Sequence, residues 1–112
     1  MAFNVSSETT NGIAKITLAG ELDAASAPQF RDEVEKVSAQ HPKRLVLLMQ
    51  GLDYIASAGL RVLIFAKQKM GRDVDIYVIA PQEQVKDTLE KTGFHHSVIE
   101  MDHYDAAAIE NI

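Results

Sequence analysis

One serine stands where a hydroxyl could serve as a chemical handle. Ser57 lies in Leu52-Asp53-Tyr54-Ile55-Ala56-Ser57-Ala58-Gly59-Leu60-Arg61, between an apolar run, Leu45 to Met49, and a helix-like run, Leu60 to Met70. A Ser at such a junction can cap the helix, its hydroxyl accepting a bond from a backbone N–H two or three residues on. An anion is also favoured there, because unpaired N–H groups and the positive end of the helix dipole both stabilise negative charge. Ser57 therefore reads as a candidate phosphorylation site, although a capping Ser needs no further role. Ala58 and Gly59 keep its surroundings small, so that a large partner surface can approach. Gly59 is otherwise a costly residue for a first helical turn.

The other reactive types give less. Asp23 and Asp53 both fall just past expected strand ends, where loops of open sheets carry function. Either also suits an ordinary turn or cap. A nucleophilic Ser57 would need a neighbouring base, and Ala56, Ala58 and Gly59 supply none, so an enzyme is not expected. His95, His96, Asp102 and His103 cluster in sequence. Adjacent histidines in a strand point to opposite faces, and the spacing matches no standard metal site. No phosphate loop, dinucleotide glycine pattern or zinc-protease helix is present. Neither a metal nor a cofactor is expected.

The composition narrows the class. The chain has 112 residues, which suits a single domain over residues 1–112. Hydrophobic residues make up 46% and charged residues 24%, which argues against a disordered chain. A net charge of −5 argues against nucleic acid as the main partner. Cysteine is absent, so disulfides and thiol chemistry are excluded. No apolar stretch approaches the roughly 18 residues of a membrane span, and the first residues lack a signal-peptide pattern. A cytoplasmic protein is expected.

The elements that must carry Ser57 follow from periodicity. Phe3 and Val5 alternate with polar residues, and Asn11-Gly12 signals a tight hairpin turn. Ala14, Ile16 and Leu18 then share one strand face, with Ile13, Lys15 and Thr17 on the other. Gly20 to Asp23 is expected to break that strand. Ser26 reads as the N-cap of a first helix, with Pro28 in its first turn and Gln29 completing a capping box. Phe30, Val34 and Val37 form its apolar stripe, and His41-Pro42 ends it. Arg44 to Met49 reads as a strand buried on both faces. The helix from Ser57 to Met70 reads as enclosed, because Leu60, Leu63, Ile64, Phe65 and Ala66 cover most of its circumference. Val74 to Ile79 reads as another buried strand. Pro81 is expected to open a third helix with Val85 and Leu89 inward, ending at Gly93. Val98 and Ile99 read as a short strand, and Asp102 as the cap of a last helix. The order β-β-α-β-α-β-α-β-α gives an α/β fold. It is a small mixed sheet with an N-terminal antiparallel hairpin, parallel strands after it, and about four helices packed mainly on one face.

With those elements in place, the chain resembles the bacterial anti-sigma factor antagonists of the STAS domain family. The residues that carry the resemblance are Gly20-Glu21-Leu22-Asp23 with Ser26-Ala27-Pro28, then Leu52-Asp53-Tyr54-Ile55 leading into Ser57-Ala58-Gly59-Leu60-Arg61-Val62-Leu63, and Leu89-Glu90-Lys91-Thr92-Gly93-Phe94. The resemblance implies partner switching. The unphosphorylated protein would bind an anti-sigma factor that is also a serine kinase of the GHKL type, so freeing a sigma factor. Phosphorylation at Ser57 would release it, and a PP2C-type phosphatase would restore it. Asp23, Ser26, Asp53, Ser57, Ala58, Gly59 and Arg61 are the expected contact face. Two positions depart from the family pattern: Ala56 replaces a common acidic residue, and Ala58 a common Ser or Thr. The alternatives are the same switch aimed at a cyclase, response regulator or biofilm regulator, or a module that binds a small ligand or nucleotide.

Overall fold

The computed structural model describes residues 2–111. Its frame is a five-stranded sheet whose strands lie side by side in chain order. β1 (Phe3–Thr10) and β2 (Ile13–Leu22) pair antiparallel through the Asn11-Gly12 turn, whose φ values are 55° and 81°. Two left-handed residues give a turn whose twist matches that of the strands, which is why Asn-Gly closes it. β3 (Arg44–Ile55), β4 (Asp75–Ile79) and β5 (Ile99–Met101) add in parallel.

The two faces of the sheet are covered unequally. α1 (Ala27–Ser38), α2 (Ser57–Met70) and α3 (Glu83–Thr92) share one core with Ala14, Ile16 and Leu18 of β2 and Leu45, Leu47 and Met49 of β3. Phe30, Val34 and Val37 of α1 are essentially sealed within it, each burial contributing about 1.5–3 kcal/mol. On the other face Ile109 of α4 (Ala106–Ile109) packs on Ile13, Val46 and Tyr77. Arg44 Nη1 pins α4 there, donating to Tyr77 OH at 2.8 Å and to the Ala108 carbonyl at 2.7 Å. Tyr104 donates to Glu110, and burial, with that carboxylate, pushes its phenol up to about 12.

Several expectations need correction. β2 does not break at Gly20 but continues to Leu22. Gly20 makes this possible: its φ is 93°, and a Cβ there would lie 1.9 Å from the Ala2 carbonyl oxygen. β3 runs six residues beyond Met49, and its register against β2 shifts between Thr17 and Ala19 and again between Gly20 and Glu21. Asp53 therefore lies within a strand rather than past its end. α2 is not enclosed: Ile64 is 41% exposed, and Phe65 is half-buried beneath the Arg31 guanidinium. α3 begins at Glu83, two residues after Pro81. β5 begins at Ile99, with Val98 packed on the main core. Asp105, not Asp102, caps α4, its carboxylate accepting from the Ala108 N–H at 3.3 Å. His95 and His96 lie in a 3₁₀ turn, Phe94–Ser97, with ring centroids 3.9 Å apart.

Candidate functional site

Ser57 is held by two neighbours of the residues that precede it. The Ala56 N–H donates to the Leu22 carbonyl at 2.8 Å, tying the end of β3 to the end of β2. Ala56 is extended (φ −94°, ψ 173°), and its carbonyl accepts the first bond of α2 from the Leu60 N–H at 3.0 Å. Ala56 is thus the N-cap, and Ser57 is the first helical residue, not the cap expected for it. Ala56 has no side-chain oxygen, so no side chain caps α2. The first-turn N–H groups keep their affinity for an anion, and Ser57 is exposed beside them.

Gly59 does not serve approach to the hydroxyl. It is buried, and a Cβ on it would lie 2.6 Å from Leu22 Cγ and 3.0 Å from Ile55 Cγ1. Its missing side chain lets α2 settle on the ends of β2 and β3. Arg61 is exposed, and Ala58 is half-buried, packed against the main core. With Ala24, Pro28 and Arg31 they line a groove of about 300 Å³ between α1 and α2. Arg31 Nε lies 3.5 Å from Glu35 Oε1, while Arg61 has no ion pair among the described residues.

Asp23 and Ser26 work inside their loop. The Asp23 carboxylate accepts from the Ala25 and Ser26 N–H groups, each at 3.0 Å. The Ser26 N–H, then its hydroxyl, holds the Asp23 carboxyl below its ordinary range. The Ser26 hydroxyl accepts from the Asp23 N–H at 2.9 Å, with the Glu21 carbonyl at 2.9 Å and Asp23 Oδ1 at 3.0 Å competing for its single proton. Ser26 is 8% exposed. The expected capping box is absent, since the Gln29 N–H goes to the Ser26 carbonyl. Ser26 is accordingly a brace for the loop and has almost no surface to give a partner. Asp23 is half-buried beside it.

Asp53 is exposed and turned toward α3, where Gln82 Nε2 donates to its Oδ1 at 3.2 Å. Gln84 bonds both polar groups of Ile55: Oε1 accepts from its N–H at 2.9 Å, and Nε2 donates to its carbonyl at 3.3 Å. Neither glutamine, nor Arg31, was legible as a site residue. A Gln near a helix start is common, and only the folded chain shows what it reaches. Tyr54, next to Asp53 in the chain, is 41% exposed. A larger apolar dish, about 380 Å³, lies toward the α4 side of the sheet among Thr17, Ala19, Leu48, Gln50 and Ile79, and none of the candidate residues lines it. Among the described residues no group of three or more His, Asp or Glu is placed to hold a metal ion, and no helix is long and apolar enough to cross a membrane.

The chain is similar to several known proteins. The anti-sigma-F factor antagonist RsfB of Mycobacterium tuberculosis is 30% identical over 70 residues, 62% of this chain and 57% of RsfB, so the match spans little more than half of that relative. BtrV of Bordetella bronchiseptica is 33% identical over 85 residues, 75% of this chain and 73% of that protein. Among solved structures, an anti-sigma factor antagonist from Mycobacterium paratuberculosis superposes with a TM-score of 0.88 at 21% identity, covering 98% of this chain and 96% of the other. SpoIIAA in its unphosphorylated form gives 0.76 at 17% identity over 96% and 92% of the two chains. Its phosphorylated form gives 0.68 at 18% identity over 97% of each. These structural likenesses establish the fold. The STAS domain profile matches residues 4–107, and the chain belongs to the STAS domain family.

Proposed function

We propose that this protein is an anti-sigma factor antagonist that works by partner switching, with Ser57 as the switch. Unphosphorylated, it binds an anti-sigma factor that is also a GHKL-type serine kinase, and so frees a sigma factor in the cytoplasm. Phosphorylation of Ser57 ends the complex, and a PP2C-type phosphatase resets it. It is a binding module and not an enzyme. The observation that carries this reading is the exposed Ser57 hydroxyl at an uncapped helix N-terminus. Relatives that are named anti-sigma factor antagonists, one of them solved with and without phosphate, support it.

The physics of such a switch requires no refolding. A phosphate adds about −1.5 to −2 charges. The host tolerates that charge, because the first turn of α2 offers N–H groups and a favourable dipole. A docked partner does not, where desolvation and like-charge repulsion cost several kcal/mol. A loss of about 4 kcal/mol weakens binding roughly a thousandfold. Ser57, Ala58, Arg61 and exposed Tyr54 offer the surface for that partner. Asp23 and Asp53 flank it, while Ser26 and Gly59 hold it from beneath.

The test combines peptide mapping of protein purified from its own cells with capture by three forms of the chain. Phosphate is expected on Ser57. Wild type and Ser57→Ala are expected to retain an anti-sigma factor kinase that Ser57→Asp loses. Equal retention by all three forms would refute the switch.

A further inference from the structure

β3 outruns its neighbour. β4 pairs with β3 only from Arg44 to Leu48, yet β3 continues to Ile55, still paired with β2 through that last residue. On the β4 side, backbone groups between Met49 and Ile55 have no strand to bond. Two glutamines at the start of α3 take that place. Gln82 Nε2 donates to the Gln50 carbonyl at 2.8 Å. Gln84 closes a two-bond ring on Ile55, as a neighbouring strand residue would.

The orientation of the Gln84 amide follows from hydrogen-bond accounting. The Thr88 hydroxyl donates its only proton to the Gln84 carbonyl at 3.0 Å. Its oxygen can then only accept, and the Gln84 amide nitrogen lies 3.2 Å from it. The nitrogen must therefore face Thr88 and the Ile55 carbonyl, which leaves Oε1 for the Ile55 N–H. A carboxylate at position 84 could accept from that N–H, but it would set an anion against the Ile55 carbonyl and the Thr88 oxygen.

One residue, Ala56, separates this ring from the switch. Ile55 is clamped by Gln84, Ala56 is bonded to Leu22, and Ser57 begins α2. The Leu22 bond is backbone to backbone, so Gln84 is the side chain through which sequence controls the second hold. We propose that Gln84 is a positioning residue for Ser57: its side-chain amide extends the sheet past the end of β4 and fixes the exit of β3, so that the hydroxyl is presented from the first position of α2. This rests on the reading of Ser57 as the switch. It also makes α3 part of the switch, since whatever moves α3 moves the peptide that leads to Ser57.

The experiment uses the lack of cysteine in the chain. Ser57→Cys supplies a single thiol at the switch position. A thiol at an ordered helix N-terminus titrates below the ordinary value of about 8.5. Its iodoacetamide alkylation rate against pH therefore reports how well α2 presents position 57. Gln84→Met, similar in volume but unable to bond, and Gln84→Glu are each combined with it. In both, the alkylation midpoint is expected to move up toward the ordinary value. The Ile55 amide is expected to exchange at least about tenfold faster, while the Val34 amide of α1 stays within about twofold of its parent rate. An unmoved midpoint, or unchanged Ile55 exchange, in both variants overturns the proposal. Neither readout involves a partner. Should Ser57→Asp retain every partner of the wild type, the switch reading fails by itself, while these two measurements still decide whether Gln84 sets the position.

Discussion

Gly59 occupies a place that Leu22 has closed to any side chain. A Cβ there would lie 2.6 Å from Leu22 Cγ and 2.8 Å from Leu22 Cδ2, and Leu22 is completely buried. Two effects oppose each other in Gly59→Ala. Helix propensity favours Ala by about 1 kcal/mol. Overpacking a sealed site costs about 1–3 kcal/mol. The contact is with the branch carbon of Leu22, not a free end, so the cost should prevail. The expected outcome is a loss of up to about 2 kcal/mol, read as a lower melting temperature. The first turn of α2 should also shift away from β2, visible as changed amide shifts at Ser57 and Ala58. An equal or higher melting temperature would mean that the helix term wins.

The loop that carries Asp23 has a pH dependence of known sign. Its carboxyl lies below the ordinary 3.8 because the Ser26 N–H and hydroxyl bond the ionised form. A depressed folded value means stability that is present above the unfolded pKa and lost as pH falls through the folded one. Carbon-detected titration of the Asp23 carboxyl should show a midpoint below 3.8. Ser26→Ala should bring it back up. A midpoint at or above the ordinary value would contradict the loop geometry.

Ala80 carries a left-handed backbone, with φ of 54°, at the end of β4. Its N–H bonds the Met101 carbonyl at 2.7 Å, which holds that conformation in place. A residue with a Cβ costs about 1–2 kcal/mol there. Glycine removes that cost but adds about 0.4–1 kcal/mol of unfolded-state entropy. Ala80→Gly should therefore stabilise the protein by roughly 0.5 kcal/mol, measured by urea denaturation at unchanged m-value.

Local patterning determined a large share of this protein. The alternation in β2, the Asn11-Gly12 turn, the stripe of Phe30, Val34 and Val37, and the apolar run of β3 each express a preference that acts within a few residues. Those preferences agree with one another, so element order and the position of Ser57 were legible without coordinates. Tertiary structure decided what depends on partners distant in sequence. Ser26 has the type and spacing of a cap, but the Glu21 carbonyl and the Asp23 loop turn its hydroxyl inward. Gly59 looked like room for a visitor and is instead room for Leu22. Ile64 completes an apolar helix circumference on paper, yet α2 has neighbours on only part of its surface and leaves Ile64 exposed. The glutamine clamp on Ile55 joins residues 29 positions apart, and no short window of sequence contains both the unpaired strand end and the amide that completes it.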